Sequence, residues 1–221
     1  LLREAPLGND GDFTFEGLFA RYNAELANDL GNLINRALTL IPRLIARAGD
    51  AGAAPQPGLA QRDADKKLGE IGSDAVRDAE QHLLQFAPAR ALEAIWKYVR
   101  ECNKYVDATQ PWKLANDGAP DECGHVAATL LGNLATVARL IYPILPAASA
   151  ALRARVDADH ADPIPRWPSG VLANGRLGGD GPLLLFPRLD DKRQEQIIAA
   201  MVPDAPASQP APAAATPTAS A

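Results

Sequence analysis

The stretch that decides the fold runs from Phe15 to Ile41, FEGLFARYNAELANDLGNLINRALTLI. Its apolar residues, Leu18, Phe19, Tyr22, Leu26, Leu30, Leu33, Ala37, Leu40 and Ile41, recur at helical steps, which predicts an amphipathic α-helix. Through this pattern runs a polar stripe, Asn28, Asn32 and Arg36, whose members stand four apart and so lie nearly above one another. Two amides and a guanidinium in a row suit solvent; they also suit a planar ligand with a hydrogen-bonding edge. Far along the chain, Gln110-Pro111-Trp112-Lys113 holds an indole behind a proline, the arrangement of a stacking partner. Taken together, stripe and turn point to a nucleotide base.

Working outward, Thr14 or Asp12 can cap this helix, and its periodicity holds to about Arg47. Gly17 and Gly31 weaken it by about 1 kcal/mol each relative to Ala, and Pro42 should kink it. The run from Gly49 to Gly58, with Pro55 and Pro57, reads as a linker. A second helix is expected over Leu68 to Phe86, and a third from Pro88 to Val106 with Leu92, Ile95, Trp96, Val99 and Tyr105 on its apolar face. The segment Asp107 to Pro111 breaks it, and a short helical piece follows at Trp112 to Ala115. Asp121 or Glu122 starts a fourth helix, disturbed at its end by Pro143 and Pro146, and Ala147 to Val156 makes one more short helix. His160 to Gly181 is rich in Gly and Pro and reads as an irregular arm anchored by Trp167. Then come the apolar piece Pro182 to Pro187 and a charged helix from Asp190 to Met201. From residue 203 on, the Ala/Pro/Ser/Thr tail has nothing to bury and is expected to be disordered.

The 221 residues are 47% hydrophobic but only 5% aromatic, which favours helix over sheet. No apolar run reaches the roughly 18 to 20 residues of a membrane span, and the first residues do not read as a signal peptide. The chain also starts without Met, so a cut from a longer protein is expected. Cys102 and Cys123 show no metal-ligand spacing and read as reduced thiols of a cytoplasmic protein. His82, His125 and His160 are scattered and read as surface or satisfied histidines rather than catalytic or metal-binding ones. A net charge of −5 counts against broad phosphate binding but not against reading a few bases at a local site. Arg36, Arg43 and Arg47 form a basic row that suits a solvated helix end, and beside the stripe it could also collect phosphates.

Four segments in order resemble the anticodon-binding domain of the methionyl-tRNA synthetase family. They are Gly11 to Arg36 (GDFTFEGLFARYNAELANDLGNLINR), Tyr105 to Ala115 (YVDATQPWKLA), Leu140 to Pro146 (LIYPILP) and Pro182 to Asp190 (PLLLFPRLD). Leu1 to Glu4 is similar to the end of the segment joining that domain to the catalytic core, so the resemblance covers nearly all of residues 1–202. It implies an all-α bundle of about five helices with an irregular C-terminal arm. The implied organisation is a linker over residues 1–13, the helical domain over 14–158, the arm and last helix over 159–202, and the tail over 203–221.

The resemblance implies that the chain grips the anticodon loop of the methionine tRNA. The family's anticodon-reading Asn and Arg fall on Asn32 and Arg36, and its stacking Trp with the preceding Pro falls on Trp112 and Pro111. Physics agrees: an Arg fork supplies donors to a cytosine edge, an indole stacks on a splayed base, and loop bases are where RNA sequence can be read. Without the resemblance, Asn32 and Arg36 would be a solvated face, Trp112 an apolar anchor, and Trp96 and Trp167 packing residues. The family's His-Ile-Gly-His and Lys-Met-Ser-Lys-Ser signatures, its zinc-binding Cys clusters and its oligonucleotide-binding module are all missing from the sequence. No cofactor or metal is therefore expected in this chain, and ATP with Mg, like methionine, would engage only the catalytic domain. The chain alone should bind tRNA without aminoacylating it. Other readings are a stand-alone RNA-binding module, the equivalent domain of a sibling ligase for Leu, Ile, Val or Cys, and lastly a purely structural bundle.

Overall fold

Thr14 opens the first helix of the computed structural model: its Oγ1 accepts the Gly17 backbone N–H at 3.1 Å and caps α1, Phe15–Arg21. Asp12, the other candidate cap, lies outside the described residues, which are 2–3, 13–56, 58–59, 62–157, 162, 164–172, 175–179 and 181–201. The helical path continues through a π-helical stretch, Tyr22–Gly31, into α2, Asn32–Ala48. Periodicity predicted this path at nearly its full length but not the wider turn, which spreads the ladder to i→i−5. Pro42 sits inside α2 without ending it, and the helix closes at Gly49, whose φ of 60° suits only a residue without a Cβ.

A 3₁₀ turn, Gly49–Ala51, leads through the linker to α3, Asp63–Leu84. Next come α4, Pro88–Thr109, then α5, Pro111–Asp117, α6, Pro120–Leu140, and α7, Pro146–Val156. All four of these later helices begin on proline, whose missing N–H costs nothing in a first turn. The all-α expectation holds, with no strand among the described residues beyond one isolated bridge, Asp157 to Arg176. The fourth long helix starts one residue before its expected acidic start, and the expected short piece at Trp112 extends from Pro111 to Asp117.

The core is built around α6, whose Val126, Leu130, Leu131, Leu134 and Val137 are buried on faces that meet α2, α4 and α7. A helix buried on several faces needs small residues where neighbours come close. At Gly124 a Cβ would lie 2.6 Å from the Gly52 carbonyl oxygen, so glycine lets the linker lie against α6. Trp96 is buried, and its Nε1 donates to the Glu25 carbonyl at 3.2 Å, tying α4 to the π-helical stretch. Trp167 anchors the arm by donating to the Val76 carbonyl of α3 at 3.3 Å. Both tryptophans are packing residues, as the sequence suggests. No described helix is long and apolar enough to cross a membrane.

A polar cluster is enclosed between α3, α4 and α6. Asp65 accepts hydrogen bonds from the Tyr105 hydroxyl at 2.9 Å, His125 Nε2 at 2.9 Å and Arg62 Nε at 2.8 Å. His125 Nδ1 accepts the Gln56 backbone N–H at 2.9 Å, which puts the ring proton on Nε2. Burial pushes the Asp65 carboxyl up, but its three donors outweigh this and hold it below the ordinary value; burial pushes the Tyr105 phenol up. His125 is thus a satisfied core histidine, while His160 lies outside the described residues.

The arm up to Arg188 belongs with this bundle, and residues 189–221 form a second unit. Its described part holds α8, Asp191–Met201, opened by the Asp190 carboxylate, which accepts the Arg193 backbone N–H at 2.9 Å. The tail expected to be disordered, residues 203–221, lies outside the described residues, as do residues 4–12 of the expected linker.

Candidate nucleic-acid interface

The polar stripe is real and it is open to solvent. Asn28 and Asn32 are exposed and Arg36 is half-buried, with Asn32 as the first residue of α2. Leu33, Ala37, Leu40 and Ile41 on the apolar side are buried, so the stripe is what α2 leaves outside the core.

The second half of the site is made by an abrupt change of direction after α4. Gln110 adopts φ 45° and ψ 55°, the left-handed region, between the last residue of α4 and Pro111 at the start of α5. The residue before a proline avoids the right-handed helical region, so the break is dictated locally. Pro111 is buried, and Trp112 follows with 37% of its surface exposed. The Arg36 guanidinium carbon lies 5.8 Å from the centroid of the Trp112 ring, within cation–π reach. The helix stripe and the distant turn therefore meet at Arg36 and Trp112.

Behind the stripe stands a second polar row that sequence reasoning missed. Asn103 and Asp107, four apart on α4, face Asn32 and Arg36, four apart on α2. The Asn32 Nδ2 donates to Asn103 Oδ1 across a long 3.5 Å, and Arg36 Nη2 pairs with Asp107 Oδ1 at 2.6 Å. Asn103 Nδ2 also donates to the carbonyls of Asp29 at 3.0 Å and Val99 at 3.3 Å. The repeated four-residue spacing was visible, but only the packing of α2 on α4 shows which rows meet. The Arg36–Asp107 pair leaves little net charge at the site, which suits reading bases more than gathering phosphates.

Arg43 and Arg47, held as possible phosphate contacts, are engaged by their own chain. Arg43 Nη2 donates to Asn116 Oδ1 at 3.1 Å and Arg47 Nε to the Gly118 carbonyl at 3.0 Å. The basic row of α2 thus fastens α5 along its length and so fixes where Trp112 stands. On the other side of Asn32, a groove of ≈ 360 Å³ is lined by Asn28, Asn32, Asn35, Leu184, Phe186 and Arg188. Phe186 reaches it from the arm, its ring edge-on to Tyr22 with centroids 6.5 Å apart. Asn35 and Arg188 stand in two of the resembling segments, but nothing in the sequence joins them, because the arm returns to this helix only in the fold.

Among the described residues no group of His, Cys, Asp or Glu could hold a metal ion. Cys102 and Cys123 are free and buried, and burial pushes the Cys102 thiol up, so it is an inert packing group.

Residues 1–38 match a family model described as tRNA synthetases class I (M). Over 203 residues the chain is 33% identical to a methionine–tRNA ligase of Fusobacterium nucleatum, covering 88% of this chain and 30% of that protein. It is 36% identical over 209 residues to a methionine–tRNA ligase of Streptococcus pyogenes serotype M3, covering 94% of this chain and 30% of that protein. The apo form of Mycobacterium tuberculosis methionyl-tRNA synthetase superimposes with a TM-score of 0.69 at 27% identity, covering 86% of this chain and 37% of that one. The same synthetase bound by methionyl-adenylate superimposes with a TM-score of 0.71 at 27% identity, covering 84% and 36%. The chain spans 30% of the length of these curated relatives.

Proposed function

This chain belongs to the methionine–tRNA ligase family, and we propose that it is the part of such a ligase that reads the anticodon loop of the methionine tRNA. The observation that carries this reading is the half-exposed Trp112 indole with the Arg36 guanidinium 5.8 Å from its centroid and Asn32 one helical turn away. A splayed base stacks on the indole while Arg36 and Asn32 meet its pairing edge. Asp107 holds the guanidinium by Nη2, so the planar fork is oriented before the RNA arrives, and less freedom is lost on binding. A neighbouring loop nucleotide would occupy the groove of Asn28, Asn35 and Arg188, where amides and a guanidinium face an aromatic ring.

In this reading the chain selects and does not react. Activation of methionine with ATP and Mg, and its transfer to the tRNA end in the cytoplasm, are the work of the rest of the ligase. The Mycobacterium tuberculosis relative that holds methionyl-adenylate is the longer kind of protein in which both would occur. The test is a titration of the chain with an anticodon stem-loop carrying CAU. Replacing Trp112 by Ala should weaken binding by about 1 to 3 kcal/mol, measured at a temperature where both proteins are folded. Equal affinity for the two proteins would remove the stacking role.

A further inference from the structure

We propose that Asn103 decides which end of the Asn32 amide faces the RNA, and thereby makes the site prefer cytosine to uracil; this rests on the anticodon reading above. An asparagine amide has nearly the same shape in either orientation, so its hydrogen-bond partners alone decide where its oxygen points. At Asn103 those partners are two backbone carbonyls, Asp29 O at 3.0 Å and Val99 O at 3.3 Å, both accepting from Nδ2. Turning the amide over would set Oδ1 against two carbonyl oxygens, like against like, and forfeit both hydrogen bonds. The Asn103 oxygen is therefore fixed on the side of Asn32, where it accepts from Asn32 Nδ2.

The consequence passes to the exposed residue. With its Nδ2 drawn toward α4, Asn32 displays Oδ1, an acceptor. Arg36, one turn further, displays donors only. The row offered to a ligand thus reads acceptor then donors. Cytosine presents the complement, an amino donor followed by ring nitrogen and carbonyl acceptors. Uracil presents a carbonyl where cytosine has its amino group, and a ring N–H where cytosine has an acceptor, so both contacts set like against like. Asn103 touches no base in this arrangement; it is a positioning residue.

The test compares stem-loops that differ only in carrying CAU or UAU, titrated into the full chain and its variants. The wild type should favour CAU. Asn103→Ala frees the Asn32 amide to rotate and should cost roughly a factor of ten of that preference, the size of one hydrogen bond, mainly through better UAU binding. Asn103→Asp keeps an acceptor toward Asn32 while losing both donors, so it should melt earlier yet retain the preference. Asn32→Asp, a substitution at an exposed position that the fold tolerates, displays acceptors only and should also retain the preference while weakening both loops. Asn103→Ala and Asn103→Asp weakening both loops by one common factor, with the ratio unchanged, would overturn the proposal, as would loss of the preference in Asn32→Asp. A wild type that does not distinguish the loops would overturn the anticodon reading and this inference with it.

Discussion

Helix α4 carries two polar networks that begin two residues apart and end differently. From Tyr105 the network runs inward to Asp65, His125 and Arg62, between α3 and α6. From Asn103 and Asp107 it runs outward to Asn32 and Arg36 on α2, beside Trp112. In the inner network the chain itself supplies Asp65 with three donors and His125 with a partner at each nitrogen. In the outer one each α2 residue has one polar neighbour and an edge turned to solvent. Residue types do not distinguish them, since both mix amides or imidazole, carboxylate and guanidinium. The difference is how much hydrogen-bonding capacity remains: a group saturated by its own chain holds the fold, and one with an unused edge can recognise something else.

The largest effect that could break this contrast is in the inner network. Asp65→Ala leaves His125, Tyr105 and Arg62 without their common acceptor and should cost about 3 kcal/mol in urea unfolding. Affinity of the folded protein for the anticodon loop should not change; a loss of both would show that the two networks are one. The same residue sets an acid limit. Because its carboxyl lies below the ordinary value when folded, the unfolded chain takes the proton first. The stability Asp65 contributes relative to Asp65→Asn should be full above about pH 4 and vanish as pH falls through the lowered folded value. At the outer network the expected effect is smaller and of another kind. Arg36→Gln should reduce the preference for CAU over UAU by roughly tenfold with little change in melting temperature. A uniform weakening of both loops would make Arg36 a phosphate contact. The smallest effect sharpens the line between them: Arg47→Ala, which loses a bond to the Gly118 carbonyl, should cost about 0.5 to 1 kcal/mol of stability and shift RNA affinity only through α5.

Most of the helices were legible because their boundaries are written in local chemistry. Thr14 caps, Gly49 stops, and Pro88, Pro111, Pro120 and Pro146 start helices through constraints that act within a turn. Asn32, Arg36, Pro111 and Trp112 could be named together because a resemblance joined two segments that geometry alone would leave unpaired. What stayed hidden depends on contacts between residues far apart in the chain. Asn103 and Asp107 lie 71 positions from Asn32 and Arg36, and nothing in either helix states that the rows meet. Arg43 and Arg47 look like free cations until α5 is laid beside them. The π-helical turns escaped for a different reason: apolar residues spaced for an α-helix still reach the core when the ladder is one residue wider.

That wider stretch, Tyr22–Gly31, gives the molecule something like a timing gear. It sits between α1, held by its Thr14 cap, and α2, which bears Asn32 and Arg36. Each residue of an α-helix advances the chain by about 100°, so the number of residues in the stretch fixes the phase of everything after it. Shortening it by one would let an ordinary helix form and could even relieve the ladder. It would also rotate the amide and guanidinium away from Asn103, Asp107 and Trp112, leaving a sound helix whose two halves are out of step.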